Sequence, residues 1–598
     1  MYLALIETAG NQAFIFGTNR LAENIGASEL TYQAGTRYVL EALAAAQPAC
    51  PTLWATEPSR LRANLDDRGC NARIEDGAPH EVMVATSGKA LVLFREWADA
   101  EALIRAVTLR ALREAPGLTV GGVISRGFDF RRDTLDAVVR EAHARYEAAR
   151  GNWAGPQARF PRLPVVRDCA GSAYPAERLQ RVGDGREAWS AVTSAKRAAA
   201  AAQIARVRRQ FPEGRLLRDV ADMEAHLESA ERDRWVGVVH ADGNGFGSML
   251  LRFGDLAASC GFTGNRAFIH AYRRFSLALD ACTERAFAAA MARLPRKDGK
   301  PGTDGEGPAS RPKYPLVPLV LGGDDLTVLC PGGDALQFAH DYLEAFERES
   351  GMDGAAHFDG IVGRIARAAT GSGRMSACAG VAVVKAHYPF HAAYDLAESL
   401  LRVAKQVKAR GRADHGGSAA GGGPCSALDF HVLYDTSLGE LGHIRQGLTV
   451  DDGRTRLYAR PVVVSDLAAL GALPAADRAW LEARHWRHLR QAVKVIQARH
   501  AADGGRPGLG PRRLPSGPLH DLRSGLFLGR EAANGRLRLI YQRYRAQGID
   551  ALLGTPEPPA SLFWPEDGDT MATRFLDAMD AAAVFTLDGE DGQRERVG

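Results

Sequence analysis

The sequence predicts an α+β protein in which one order of elements, βαββαβ, occurs twice. The first copy starts with the apolar strand MYLALIE, continues through a helical stretch to a hairpin formed by EVMVAT and KALVLF, and ends with a helix and the strand LTVGGVI. The second copy has the same order from WVGVVHA, through the hairpin PLVPLVLGGDDLTVL, to the strand SACAGVAVV. This order favours a ferredoxin-like domain, in which helices cover an antiparallel sheet. We therefore expect two ferredoxin-like domains packed together.

The remainder of the chain is predicted to be mainly helical. KRAAAAAQIARVRRQF is rich in strong helix formers and indicates a helical connector. AWLEARHWRHLRQAVKVIQARH places Trp486, Leu489, Val493 and Ile496 on one helical face. Two glycine-rich polar stretches, PRKDGKPGTDGEGPASRPK and RADHGGSAAGGG, are typical of exposed insertions. We expect four segments, with the first domain at 1–150, the helical connector at 151–230, the second domain at 231–438 and a helical C-terminal domain at 439–598.

Composition narrows the class of protein. The 598 residues carry 75 Lys and Arg against 71 Asp and Glu, and this net charge of +4 is too mild to indicate a nucleic-acid binder by itself. No apolar run is long enough to span a bilayer, and the first residues, MYLALIETAG, lack the basic start of a signal peptide. The eight cysteines form no C-x-x-C pair, which disfavours a zinc ribbon. These features predict a cytoplasmic protein with reduced thiols and no membrane partner.

The chemistry is predicted to lie at the tip of the second hairpin. That tip reads Gly322-Gly323-Asp324-Asp325, and the strand WVGVVHA runs into Asp242-Gly243-Asn244-Gly245-Phe246-Gly247. In a βαββαβ sheet the end of the first strand lies beside the hairpin, so Asp242 should approach Asp324 and Asp325. Three carboxylates repel one another unless a hard cation neutralises them, and oxygen ligands suit Mg²⁺ or Mn²⁺. The alternative is an ordinary turn, since Gly and Asp are common turn residues.

A metal site of this kind is suited to bind a nucleotide. A pair of such ions about 4 Å apart can activate an attacking hydroxyl and stabilise a pyrophosphate leaving group. The glycines after Asp242 leave backbone N–H groups free to approach a triphosphate at a helix N-terminus. The first copy has no equivalent, because its hairpin turn is Ser87-Gly88-Lys89 and its first strand offers only Glu7. It is therefore predicted to be an inactive partner of the second copy.

These motifs resemble the palm domain of the CRISPR type III large subunit, the polymerase/cyclase of Csm and Cmr complexes. GGDD is similar to the hairpin motif of that family, and ADGNGFG to its first metal motif, usually Asp-x-Asp-x-x-Gly. The resemblance continues through SACAGVAVVKAHYPFHAAYDLAESLLRVAKQVKARGR and SALDFHVL. GNQAFIFGTNRLAENIGASEL resembles the start of the first palm of that family. Most of residues 1–435 are covered in this way.

The resemblance implies roles for individual residues. Asp242 and Asp324 would ligate two Mg²⁺ or Mn²⁺ ions, with Asp325 as a further ligand or base and Gly243 supplying a backbone ligand. Ser376 would lie near the base or ribose and Lys405 would reach the triphosphate. The remaining implied phosphate contacts come from the two glycine-rich motifs, at Gly243, Asn244, Gly245, Phe246, Gly247, Gly322 and Gly323.

The implied function is a nucleotidyltransferase that joins nucleoside triphosphates, ATP first, into cyclic or linear oligonucleotides for antiviral defence, with RNA or a CRISPR-type complex as partner. Three departures from the family are visible. Asn244 replaces the second acidic residue of the first metal motif, Cys169 is the one cysteine left in the connector, and no nuclease domain with a His-Asp motif is found. Two alternatives stay open: a cyclase that resembles the GGDEF class, and a silent subunit that senses nucleotides or RNA.

Overall fold

The structure is a computed structural model that describes residues 1–172, 174–211, 215–216, 235–294, 313–314, 316–352, 358–410, 425–434, 440–470, 473–500, 511–555, 560–566 and 568–584. The two glycine-rich stretches that were predicted to be insertions lie almost entirely outside these residues.

The first domain has the predicted βαββαβ order. Its antiparallel sheet has the strand order β2-β3-β1-β4, formed by β1 (Tyr2–Ala9), β2 (His80–Thr86), β3 (Lys89–Phe94) and β4 (Thr119–Ile124). Its helices are Asn11–Phe16, Leu21–Gly35, Arg37–Ala46, Pro58–Asp66, Trp97–Glu114 and Leu135–Arg150. The long helical stretch expected after β1 is divided at Thr36, whose backbone is not helical (φ −114°, ψ −83°).

The connector is less uniformly helical than the sequence predicted. It contains the long helix Ala191–Gln210 and the short helix Pro156–Arg159, but also an antiparallel hairpin of β5 (Arg178–Val182) and β6 (Gly185–Trp189). Ser190 caps the long helix by accepting a hydrogen bond from the N–H of Thr193. A two-residue strand, β7 (Arg215–Leu216), pairs in parallel with β9 (Lys313–Tyr314).

The second domain contains the six-stranded sheet that carries the candidate site. The strand order is β10-β11-β8-β12-β13 followed by the short strand Val462–Val463, where the labelled strands are β8 (Trp235–Gly243), β10 (Val317–Gly322), β11 (Asp325–Pro331), β12 (Ala377–Lys385) and β13 (Ala427–Val432). The domain's helices are Phe246–Leu251, Phe253–Ser259, Gly264–Ala292, Gly332–Glu349, Ile361–Thr370 and Phe390–Ala404. β8 is antiparallel to both its neighbours, and β13 is parallel to β12.

The two domains share their hydrophobic cores, which confirms that they pack together. Successive side chains of a strand point to opposite faces. In β8, Val239 and Ala241 enter one core together with Leu3 and Leu5 of β1. The alternate residues Val236 and Val238 enter a second core, which also contains Ala4 and Ile6 of β1. Each sheet therefore has buried faces, which explains why its strands read as nearly continuous apolar runs.

The C-terminal region is mainly helical, as predicted. Its helices are Leu441–Gly447, Ala475–Ala483, Trp486–Gln497, Ser516–Leu526, Arg530–Tyr544 and Phe575–Val584, and a small sheet joins the two-residue strands Thr449–Val450, Thr455–Arg456, Trp564–Pro565 and Met571–Ala572. The predicted apolar stripe of Trp486, Leu489, Val493 and Ile496 is buried. Across the described residues, every helix is too short or too polar to cross a bilayer.

Candidate active site at the edge of the second sheet

The strand register brings two of the predicted carboxylates face to face. Asp325, the first residue of β11, lies directly opposite Asp242 of β8. Residues directly opposite each other in an antiparallel pair project from the same face of the sheet, with Cβ atoms roughly 5 Å apart. Gly322 pairs with Asp325 across the hairpin, so Gly323 and Asp324 form the turn itself.

Asp324 lies against the backbone of Gly243. Its carbonyl accepts a hydrogen bond from the Gly243 N–H (3.2 Å). A Cβ atom added at Gly243 would lie 2.9 Å from the Asp324 Cβ and 3.2 Å from its Oδ2. A Cβ–Cβ distance of 2.9 Å essentially never occurs between real side chains, so this close approach favours glycine at position 243. The predicted convergence of the first metal motif on the hairpin therefore involves both aspartates of the turn.

The environment disfavours negative charge at the hairpin. Burial, and then the charge of Asp325, raise the pKa of Asp324 to about 7. Asp325 is exposed at the surface, yet partial loss of hydration beside the protein, and then the charge of Glu398, raise its pKa to about 6. Desolvation and like charges act in the same direction for a carboxyl group. The site thus concentrates negative charge that the nearby protein compensates poorly.

Lys405 supplies a positive charge at the other side of the site. Its Nζ forms an ion pair with Oδ2 of Asp242. Burial, and then the charge of Lys408, lower the pKa of Lys405 to about 8. Lys405 ends the helix Phe390–Ala404 as its C-cap residue, which places the ammonium at the same sheet edge as the hairpin. In this state the lysine neutralises one carboxylate of the candidate metal site.

Asn244 and Ser376 belong to a buried hydrogen-bond network behind β8. The Asn244 amide donates to the Ser376 hydroxyl (3.0 Å) and to the Cys425 carbonyl (3.1 Å), while its backbone N–H donates to the Ser376 carbonyl (2.8 Å). Both side chains are at least nine-tenths buried. A carboxylate at position 244 would bring a buried charge against the Cys425 carbonyl, so the network explains physically why an amide stands there.

The glycine-rich loop after β8 leads into a short helix. Gly245 has a left-handed backbone (φ 74°) and precedes Phe246–Leu251. Phe246 anchors the loop by stacking on Phe275, with 5.7 Å between ring centroids. Gly247 is exposed, and a Cβ atom added there would meet no protein atom within 4 Å. The fold itself therefore does not demand glycine at position 247.

Two residues that hold the turn could not be identified from the sequence. Asp280 and Thr283 of helix Gly264–Ala292 hydrogen-bond to the N–H and to the carbonyl of Gly323. Their positions in the middle of a long helix resemble those of ordinary helix residues. Only the tertiary structure shows that a segment some 43 residues earlier in the chain contacts the hairpin.

A different cluster meets a geometric criterion for metal binding. Among the described residues, His340, Asp341 and Glu344 are the group of three or more ligands whose donor atoms all lie within 4.8 Å of one another. The carboxylates of Asp242, Asp324 and Asp325 are more spread out than this. Arg293 already bridges Asp341 (3.0 Å) and Glu344 (2.9 Å). The guanidinium supplies the counter-charge of that cluster, which is therefore explained without a metal ion.

One family model and several solved structures match parts of the chain. Residues 235–413 match the family described as Cas10/Cmr2, second palm domain. No curated protein matches the chain. Solved structures that match include a Csm1-Csm4 cassette in complex with AMPPNP (15% identity, TM-score 0.41, 92% of this chain and 64% of that chain). A Csm1-Csm4 cassette in complex with cA4 also matches (14% identity, TM-score 0.33, 68% of this chain and 52% of that chain).

The present chain thus spans between about half and about two thirds of the length of those structures. The matched family segment contains β8 with its glycine-rich loop, the GGDD hairpin, Ser376 and Lys405. Residues 235–413 are therefore similar to the second palm domain of the Cas10/Cmr2 family.

Proposed function

We propose that this protein is a palm-type nucleotidyltransferase that joins nucleoside triphosphates, with ATP as the expected substrate, into cyclic or linear oligonucleotides. One observation carries the proposal: Asp325 lies in register with Asp242 while Asp324 lies against Gly243, so that three carboxylates border the loop predicted to hold phosphates. A turn that served structure alone would not need two carboxyl groups whose charged forms are disfavoured by their surroundings.

The donor set fits divalent cations. Asp242, Asp324 and Asp325 would hold Mg²⁺ or Mn²⁺ together with a backbone oxygen of Gly243, since these ions prefer oxygen ligands. Bound ions would supply neutralisation of negative charge and activation of a 3′-hydroxyl for attack on an α-phosphate. The raised pKa values of Asp324 and Asp325 support this fit, because they indicate negative charge that lacks a sufficient counter-charge in the protein itself.

The chain's own groups would bind and orient the triphosphate. Lys405 lies at the site and pairs with Asp242; when a cation takes over that charge, its ammonium is free to contact a phosphate. The backbone of Gly243 to Gly247 borders the same edge, and the open space beside Gly247 would admit a phosphate group. Asn244 and Ser376 would act indirectly, by holding the loop against β12.

The proposed partners follow from the family. The solved Csm1-Csm4 cassettes that resemble this chain hold AMPPNP, pppApA or cA4, which are adenine-based ligands. We extend this to the present chain as a proposal: adenine nucleotides as ligands, and a CRISPR-type protein complex, with RNA as its trigger, as the setting in which it works. The first domain, whose hairpin lacks an acidic pair, would serve as the inactive partner of the second.

Mass spectrometry of reaction products tests the proposal. The protein is incubated with each of the four ribonucleoside triphosphates and with Mg²⁺ or Mn²⁺, with and without candidate RNA activators. We expect oligoadenylates from the wild type and none from Asp324→Ala/Asp325→Ala. The matched control is Asp452→Asn, which alters a carboxylate that is 98% exposed, far along the chain in the C-terminal region. Absence of any product under all these conditions would contradict the proposal.

A silent nucleotide-binding subunit is the second candidate. Two observations favour it: Asn244 leaves the first motif with a single carboxylate, and Lys405 already neutralises that carboxylate. This candidate predicts that ATP binds in the presence of Mn²⁺ without turning over. Calorimetry that detects binding, together with product analysis that detects none, would favour it over the transferase.

A further inference from the structure

Two side chains of helix Gly264–Ala292 hydrogen-bond to the GGDD turn. Asp280 accepts a hydrogen bond from the Gly323 N–H, with 2.6 Å between Oδ1 and the nitrogen. Thr283 donates its hydroxyl to the Gly323 carbonyl at 2.5 Å. Residues three apart lie on the same face of a helix, so both side chains reach the turn from one surface.

These two bonds fix two successive peptide planes. The N–H of Gly323 belongs to the peptide that joins it to Gly322, and its carbonyl belongs to the peptide that joins it to Asp324. Gly323 has a left-handed backbone (φ 63°), and glycine has more conformational freedom than any other residue. Fixing both planes around this flexible residue determines the direction in which the chain enters Asp324 and Asp325.

Helix propensity does not explain why Asp280 and Thr283 occupy these positions in helix Gly264–Ala292. Asp and Thr are weak helix formers, since their side chains compete for backbone hydrogen bonds. Both lie in the interior of a 29-residue helix, and Thr283 is completely buried. Their side chains instead hydrogen-bond to Gly323 of the turn, and this contact accounts for their presence in the helix.

The supporting helix is in turn braced by the rest of the molecule. Arg62 of the first domain makes two hydrogen bonds of 2.8 Å to Glu284, the residue after Thr283. Gln210, the last residue of the connector helix, donates to the same carboxylate at 2.7 Å. The positive charge of Arg62 also opposes the effect of burial on Asp280, whose pKa is raised to about 6. The support of the turn therefore rests on contacts from three segments of the chain.

We propose that Asp280 and Thr283 are positioning residues, which hold the Gly323 peptide so that Asp324 and Asp325 are correctly directed. The inference deepens the proposed function and rests on it, because it assigns a purpose to the orientation of those two carboxylates. It adds two residues outside both glycine-rich motifs to the apparatus of the site.

Paired substitutions separate positioning from simple support of the fold. Thr283→Val is nearly isosteric and removes the donor, while Thr283→Ser keeps it. Asp280→Leu removes the acceptor, while Asp280→Asn keeps an oxygen that can accept from Gly323. Thr31→Val is the matched control, since Thr31 is a buried threonine of the first domain whose hydroxyl donates to the Ala27 carbonyl at 3.0 Å.

The first measurement is hydrogen exchange of the hairpin amides in the metal-free protein, which does not depend on any activity. For Thr283→Val we expect exchange at the turn to rise by about tenfold or more, while the melting temperature changes no more than in Thr31→Val. Thr283→Ser and Asp280→Asn should exchange nearly as slowly as the wild type. Unchanged exchange in both Thr283→Val and Asp280→Leu would overturn the inference. If Asp280→Leu does not fold, the two Thr283 variants decide the outcome.

The second measurement concerns turnover. In Thr283→Val we expect kcat to fall and the Mn²⁺ concentration for half-maximal rate to rise, each by about tenfold, with little change in the KM for ATP. Thr283→Ser should restore both. Faster amide exchange at the hairpin, together with unchanged turnover and unchanged Mn²⁺ dependence, would also overturn the inference. If the wild type makes no product, the proposed function fails, and the exchange data still show whether the two residues hold the turn.

Discussion

At the scale of single residues, the ionisation of Asp324 and Asp325 depends strongly on their surroundings. In the folded protein the pKa values are about 7 and about 6, above the ordinary value of 3.8. A folded state with raised carboxyl pKa values binds protons more tightly than the unfolded state, so its stability falls as the pH rises. The loss begins near the ordinary pKa and is complete above the folded pKa values.

Without metal, Asp324→Asn/Asp325→Asn should be more stable than the wild type above about pH 7, by on the order of 1 kcal/mol, because it removes like charges at short range. The difference should vanish near pH 4. Urea unfolding in EDTA across this pH range measures it, and a variant that is less stable than the wild type at about pH 8 would contradict it.

The glycines of the loop after β8 allow a matched pair of substitutions. Gly243→Ala should lower the melting temperature, because its Cβ would lie 2.9 Å from the Asp324 Cβ. Gly247→Ala should leave the melting temperature unchanged, since no protein atom lies within 4 Å of the added Cβ, yet should weaken ATP binding if phosphates approach the backbone there. Thermal melts and ATP titration separate the two effects. Equal ATP binding by Gly247→Ala and the wild type would argue against a phosphate contact at Gly247.

At the scale of elements, the sequence predicted the strands and the hairpin but not what supports them. Apolar runs and the glycine turn are local signals, and they located β8, β10 and β11 correctly. The one helix that the βαββαβ order predicts after β8 is divided into three helices, with breaks at Arg252 and near Thr263. Apolar spacing shows that Gly264–Ala292 is buried on one face, but not which segment covers it. The contacts of Asp280 and Thr283 could not be predicted because they depend on tertiary packing.

Within the site, too, some contacts could be predicted from the sequence and others depend on tertiary packing. The approach of Asp242 to Asp325 was predictable, because it follows from the order of elements in the sheet. The inward orientation of Asn244 and Ser376 was not, because the resemblance assigned both residues to the nucleotide. The ion pair between Lys405 and Asp242 was also not predicted, although the sequence placed the lysine near the site.

At the scale of the whole molecule, the two domains behave as one packed unit. Alternate residues of β1 and β8 enter two common cores, so neither sheet could expose its faces without losing apolar burial. Polar contacts cross the same boundary, with Arg62 and Glu284 both largely buried. We propose segment boundaries near residues 150, 230 and 438, although the packing runs across the first two.

The pair of Arg62 and Glu284 allows a test of coupling between the domains. Its two parallel hydrogen bonds and partial burial predict a coupling free energy of about 1–2 kcal/mol. A double-mutant cycle with Arg62→Ala and Glu284→Ala, followed by urea unfolding, measures this quantity. The exposed pair of Arg150 and Glu147, at 2.8 Å, is the control and should show less than about 0.5 kcal/mol. Equal coupling in the two pairs would contradict a special role for the buried contact.

Thermal melting of the wild type and of Asp324→Ala/Asp325→Ala tests whether the GGDD hairpin is a metal and nucleotide site. Each protein is melted in EDTA and then with Mn²⁺ and a non-hydrolysable ATP analogue. We expect the variant to melt at the same temperature as the wild type or slightly higher in EDTA, since repulsion is relieved. With metal and nucleotide only the wild type should gain stability, because ligands stabilise the state that binds them. A variant that melts several degrees lower in EDTA, beside a wild type that gains nothing from metal and nucleotide, would show that the aspartates serve the turn alone.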